Sequence, residues 1–378
     1  MTNLKPSNTP ACLGYSMPAE WEPHAATWLG WPHNETDWPG KIDTIRWVYG
    51  EMTRKISAGE TVRILVRHRA EQKFAASYLK RAGCDLKKIE FVVHPTNRGW
   101  TRDTGPIFVR RRIPQSAIRN PQSETAIVHF HFNAWAKYND WQKDTKVPET
   151  AARILGKKLF NAQCSAPASL STPRSALRNF IIEGGGIELN GRGTLLTTEE
   201  CYLHPKVQVR NPGMTRAQYD DTFKKYLGVK NVLWLLNGPV GDDTHGHIDD
   251  ICRFVNAKTL VLIREKNPRD INYKPLAENW ERIQDLRLED GSKPEVVELP
   301  MPAPLYFDKM RLPASYANFY IANEKVIVPT FRDKKNDKAV LEILQREFLD
   351  RRVIGLDSTE LIWGLGSFHC ITQQEPTQ

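Results

Sequence analysis

Cys370 sits in the run WGLGSFHCITQQ near the end of a 378-residue chain, flanked by glycines, hydroxyl side chains and His369. A cysteine sulfur attacks only as thiolate, so a nucleophilic role requires a nearby base or positive charge and backbone that lets a substrate come close. Gly364 and Gly366 supply such backbone; the base must come from elsewhere. Taken alone, Cys370 reads better as a small buried hydrophobe at the end of a strand-like Leu361 to Trp363, and only partners elsewhere in the chain overturn that.

Three other runs offer partners. In GDDTHGHIDDICRF, Asp242, Asp243, His245, His247, Asp249 and Asp250 crowd together ahead of Cys252. An extended chain would turn His245, His247 and Asp249 the same way, which suits a metal by ligand type. The spacing matches no HExxH-like signature, and one base with carboxylates around a cation fits the run as well. Asp242 and Asp250 could be plain turn residues, but charges this dense repel unless something positive lies among them. In GWTRDTGPIF, Trp100, Arg102 and Asp103 precede a Gly-Pro turn and a strand; Asp103 alone would be an ordinary turn aspartate. In IIEGGGIELNGRGT, Glu183 ends an apolar run and meets Gly184 to Gly186. The glycines lack the P-loop pattern and no helix start follows, so a buried carboxylate beside open backbone is the better reading.

One cysteine, one or two histidines and three carboxylates fit a guanidinium. It is planar, cationic and rich in donors, so two carboxylates can grip its edges while a thiolate approaches the central carbon from above the plane. A histidine would protonate the leaving ammonia and then activate water, with a carboxylate holding the imidazole.

A recurring unit is expected to position these residues: two short strands, a helix, then another strand. One copy has strands at Asn179 to Leu189 and Thr194 to Thr198, a helix from Arg216 to Leu227 closed by Gly228, then Asn231 to Leu236. The next has Ile251 to Val255, Thr259 to Arg264, a helix over Tyr273 to Leu288, and Glu295 to Leu299. The third has Asn318 to Ala322, Lys325 to Pro329, a helix from Asp337 to Leu349, and Arg351 to Ile354. Leu341, Leu344 and Phe348 follow helical spacing, while Val326 and Val328 alternate as in a strand. A unit of roughly 70 residues gives about five copies. The first half fits less cleanly, with a helix from Ile42 to Ile56, strands at Thr61 to Arg67 and Glu90 to His94, and a pair near Pro106 to Val109 and Thr125 to Phe132. Arg110 to Glu124 and Asn161 to Arg178, rich in Pro, Ser and basic residues, read as loop insertions.

The chain is 40% hydrophobic and 26% charged, with no apolar run of membrane-spanning length, so no membrane partner is expected. The start, MTNLKPSNTPACLGY, has no apolar signal core, and the six cysteines form no CxxC pair, which points to a reduced cytoplasm. The formal charge of +9 is spread along the chain rather than gathered in a stripe, so no nucleic-acid partner is expected.

The motifs occur in an order that resembles the agmatine deiminases of the guanidine-modifying (pentein) superfamily: GYSMPAEWEPHAATWLGWP, WTRDTGP, EGG, TEECYL with RNPGMT, GDDTHGHID, ASYANFYIAN and HCITQQ. The resemblance implies one domain over residues 1–378, an α/β propeller of five ββαβ repeats with pseudo-fivefold symmetry. It also implies hydrolysis of agmatine to N-carbamoylputrescine and ammonia without metal or other cofactor. By the same resemblance Cys370 is the nucleophile, His247 the general acid and base, and Glu183 its carboxylate partner. Asp103 and Asp249 hold the guanidinium, and Trp100 and Asp243 contact the substrate's chain and distal amine. Departures from the family pattern bear on the substrate: Arg98 stands where an acidic residue is usual, GLGSFHC replaces GGGNIHC at Leu365, Ser367 and Phe368, and His245 replaces Asn or Asp. A ligand carrying a carboxylate would welcome Arg98, which keeps arginine or peptidyl arginine as the alternative substrate. A metallohydrolase and a non-catalytic basic binding protein are the readings from other classes. His369 reads as positional, and homo-oligomerisation is left open.

Overall fold

The computed structural model describes residues 8–112, 123–165 and 177–378. The chain folds as a mixed α/β structure whose strands fall into separate small sheets, with no closed sheet among the described residues. Five of these sheets share a plan: an antiparallel pair, then a strand added in parallel after a helix. Ile107–Arg112 and Ser123–His129 pair antiparallel, and Lys158–Asn161 adds in parallel after the helix Val147–Leu155. Glu188–Leu189, Thr194–Thr198 and Asn231–Leu235 form the next. Cys252–Phe254, Thr259–Arg264 and Glu295–Pro300 follow, then Tyr320–Ile321, Lys325–Thr330 and Arg352–Asp357. The fifth joins the ends of the chain, because Thr372–Pro376 pairs antiparallel with His24–Gly30, on which Thr61–Val66 and Ile89–Val93 build in parallel.

Local chemistry explains the elements. The helix Arg216–Leu227 starts on a capping box in which Thr215 and Gln218 satisfy each other's backbone N–H, and ends at Gly228 with φ 66°. It buries Tyr219, Phe223 and Tyr226, so truncating Phe223 to alanine removes about 3–5 kcal/mol. The strand Thr259–Arg264 is buried over its first five residues, as expected of a strand covered on both faces.

The expected helices and strands form with shifted ends. The helix expected over Asp337 to Leu349 runs Lys334–Glu347, because Asp333 caps it through the Asn336 N–H. The helix expected to reach Leu288 stops at Ile283, and Leu288 turns back to bond Ser292. The strand expected from Asn179 to Leu189 is broken: Leu177–Asn179 pairs with Gln163–Ser165, Gly184–Gly186 makes a 3-10 turn, and only Glu188–Leu189 joins the sheet. Leu361 to Trp363 is likewise part of a 3-10 turn, Leu361–Gly364, and not a strand. Of the two expected insertions, 113–122 and 166–176 lie outside the described residues. Their flanks are strand ends, since Arg110, Arg111 and Arg112 pair with Thr125, Glu124 and Ser123.

Candidate active site

The segments entering the first strands of these five sheets pack against one another beside one cavity, which Asp103 and Cys370 reach. Thr101–Thr104 precedes Ile107–Arg112, Gly184–Gly186 precedes Glu188–Leu189, and Ile248–Asp250 precedes Cys252–Phe254. Asn318 precedes Tyr320–Ile321, and His369 with Cys370 precedes Thr372–Pro376. The cavity, about 360 Å³, is lined by Cys370, Asp103, Trp100 and Asp243, together with Trp135, Tyr138, Arg98, Asp37, Trp363 and Leu365. His247, Glu183 and Asp249 are each 0% exposed and lie behind this wall.

Each buried carboxylate is turned by named partners. Asp103 accepts from the Gly185 N–H at 3.0 Å and from Trp135 Nε1 at 2.9 Å. Asp249 Oδ2 accepts from His369 Nδ1 at 2.7 Å and lies 3.6 Å from the Cys370 sulfur, while Oδ1 has no hydrogen-bond partner among the described residues. Glu183 Oε1 takes Arg210 Nε at 3.1 Å, and Oε2 lies 3.5 Å from His247 Nε2. His247 Nδ1 is 3.8 Å from Asp103. Asn318 Nδ2 donates to the Cys370 sulfur at 3.0 Å, and its carbonyl oxygen receives the His369 and Cys370 N–H groups. Glycines are required where backbone approaches these groups: a Cβ on Gly185 would lie 2.5 Å from His247 Nδ1, and one on Gly366 would lie 3.0 Å from the Cys370 Cβ.

The electrostatics separate the roles these groups can play. Burial, with Asp249, Asp250 and Asp103 nearby, pushes the Cys370 thiol well above its ordinary range. Burial opposes a charged imidazole, yet Asp103, Cys201 and Glu183 together raise His247 well above ordinary. Burial raises Glu183, but Arg210 and His247 outweigh it and hold its carboxyl below ordinary. Asp249 is also held low, chiefly by His369 against burial. Asp103, with burial dominant, is pushed up to about 6. Without a ligand the site therefore holds a neutral thiol, a cationic imidazole and carboxylates that a cation would stabilise.

All seven residues singled out in the sequence belong to this region. His245 does not: with φ 64° between two left-handed glycines it turns to Glu200 and His204, and the extended run that would have aligned it with His247 and Asp249 does not form. Among the described residues, the groups close enough to share a metal are Glu183–Cys201–His247 and Asp249–Asp250–Cys370. Arg210 already occupies Glu183, while His369 and Asn318 occupy Asp249 and Asp250. Arg98 lines the cavity but is not free for the use the sequence suggested: it pairs with Asp37 and Asp140 and stacks 4.5 Å over Tyr138, so a ligand carboxylate would find its charge already matched. Sequence reasoning missed Glu20, Asn318 and Arg210, which lie inside quoted motifs without a readable role, and Trp135, Lys137 and Asp37, which no motif flagged.

A family model described as Porphyromonas-type peptidyl-arginine deiminase matches residues 16–376. The chain belongs to this family. It is 34% identical to the agmatine deiminase of Medicago truncatula and 32% identical to that of Pseudomonas aeruginosa, each comparison covering 98% of both chains. Among solved structures, it is similar to an agmatine deiminase of Enterococcus faecalis (TM-score 0.82, 27% identity, 99% of both chains) and to one of C. jejuni (TM-score 0.78, 28% identity, 96% of this chain and 97% of the other). No described helix is long and apolar enough to cross a membrane.

Proposed function

We propose that this protein hydrolyses agmatine to N-carbamoylputrescine and ammonia. The observation that carries the reading is the buried thiol of Cys370 set among carboxylates, Asp103 and Asp249, with a cationic His247 held by Glu183. A guanidinium entering between Asp103 and Asp249 supplies the charge these carboxylates lack. It also lowers the thiol, whose proton leaves to solvent. The thiolate attacks the guanidinium carbon, and His247 gives its proton to one nitrogen, which departs as ammonia and leaves an S-alkylthiouronium on Cys370. Neutral His247 then takes a proton from water, whose oxygen adds to the same carbon. The C–S bond breaks, returning the thiolate, and the hydroxyl proton leaves to solvent as the ureido carbonyl forms. Asn318 donates to the sulfur throughout, and Trp100 packs against the substrate's chain.

Charge at the mouth favours agmatine over arginine. Asp37, Asp140 and Asp243 face Arg98 and Lys137, a surplus of one negative charge for a distal ammonium and no unmatched cation for a carboxylate. Five sheets of one plan, whose entering segments pack together beside one cavity, support a five-repeat propeller and a single domain over residues 1–378. Buried, unbridged Cys84, Cys164, Cys201, Cys252 and Cys370 fit a reducing, cytoplasmic setting. The test is ammonia and ureido-product release from agmatine, arginine and an arginine-ending peptide, with Cys370→Ala as control. Release from agmatine, absent in the variant and indifferent to chelators, is expected; release only from arginine or peptide would move the substrate, and none at all would defeat the assignment.

A further inference from the structure

Beneath the cavity a buried chain of charges runs back from Asp249. His369 is 1% exposed, and both of its ring nitrogens face carboxylate oxygens: Nδ1 lies 2.7 Å from Asp249 Oδ2, and Nε2 lies 2.7 Å from Glu20 Oε2. The same Glu20 oxygen pairs with Arg102 at 3.2 Å and Arg253 at 3.0 Å, and Arg253 continues to Glu188 at 2.8 Å. Glu20 Oε1 accepts the Ile321 N–H at 2.9 Å. Arg102 and His369 are the sequence neighbours of Asp103 and Cys370, so Glu20 ties together the two segments that carry them. Three carboxylates (Glu20, Glu188, Asp249) face two guanidinium groups (Arg102, Arg253) and the two ring nitrogens of His369.

We propose that His369 is a positioning residue for Asp249. It engages Oδ2 and leaves Oδ1 as the oxygen available to the guanidinium, while Glu20 fixes the ring from the other side. The inference rests on the reading that Asp249 grips a guanidinium. It adds a residue pair, Glu20 and His369, whose effect on turnover passes through Asp249 rather than through contact with substrate.

Two isosteric substitutions separate this role from simple support of the buried cluster. The amide nitrogen of asparagine falls near Nδ1 and can keep the bond to Asp249, whereas that of glutamine falls near Nε2 and can keep only the bond to Glu20. His369→Asn is therefore expected to retain more kcat/KM on agmatine than His369→Gln, with the glutamine variant down about tenfold to hundredfold, the range for losing a charged hydrogen bond. Melting temperatures measured alongside show whether both fold. Equal losses, or a better glutamine variant, would overturn the proposal. If neither variant folds, Glu20→Gln decides: it keeps an acceptor for Nε2 but removes the charge, and kcat/KM within twofold of wild type at an unchanged melting temperature would also overturn it. Wild-type turnover is measured first, so a wild type inactive on every guanidine refutes the proposed function itself, separately from the role of His369.

Discussion

Replacing Arg210 with methionine should be among the most damaging single changes outside the cavity wall. Arg210 is 2% exposed and binds Glu183 Oε1 at 3.1 Å, the Gln208 carbonyl at 3.0 Å and the Thr244 carbonyl at 2.5 Å. Methionine fills a similar length without charge, leaving Glu183, itself 0% exposed, with His247 at 3.5 Å as its remaining counter-charge. Removing one partner of a buried pair costs about 3–5 kcal/mol, and the orphaned carbonyls push towards the upper end. An unfolding entropy of about 2.1 cal/mol/K per residue over a chain of this size converts that to a fall of about 4–6 °C in Tm. The pH dependence has a definite sign. Glu183 is held below the ordinary carboxylate range, so the stability it contributes is present above its unfolded pKa and is lost as pH falls through the lowered folded one. Without Arg210 burial prevails, Glu183 protonates at higher pH, and the acid limb of kcat/KM moves up. Thermal unfolding and a pH–rate profile of Arg210→Met test this together. A Tm within about 1 °C of wild type with an unmoved acid limb would refute the reasoning.

Three further outcomes are expected. Because the Cys370 thiol is pushed well above ordinary, its alkylation by iodoacetamide in the ligand-free protein should be slow at pH 7 and still rising at pH 9; a plateau at neutral pH would show a preformed thiolate. Lys137→Met should lower KM for agmatine about twofold to fivefold, because Lys137 pairs with Asp243 at 2.5 Å and a partly exposed pair is worth up to about 1 kcal/mol; a raised KM would show that Lys137 helps to hold the substrate. Gly185→Ala should cost about a hundredfold in kcat/KM by displacing His247 or Asp103, and steady-state rates near wild type would show that the turn can yield.

Much of the scaffold was legible because its cause is local. Ile42–Ile56 forms as expected from its amphipathic spacing, and the strands of the later sheets follow apolar runs closed by turns. Misplaced pieces have local causes that apolar patterning overlooks. Three glycines let the run after Glu183 turn, and left-handed Gly241, His245 and Gly246 swing His245 away from His247. Arg98 does line the cavity, but its pairing with Asp37 and Asp140, 61 and 42 positions away, could not be read locally.

The sequence by itself determined the chemistry on offer: one thiol in a glycine-rich run, imidazoles and carboxylates in short polar motifs, and apolar spacing for the strands and helices between them. The tertiary structure decided which of these groups meet. His369 and Glu20 are 349 residues apart and Cys370 and Asp249 are 121 apart, yet each pair is in contact because the strand-entering segments of five sheets pack together beside one cavity. That convergence also sets the charge of each group. Burial raises the thiol, and only partners brought by the fold keep Glu183 and Asp249 ionised, so the roles follow from long-range packing that no short motif encodes.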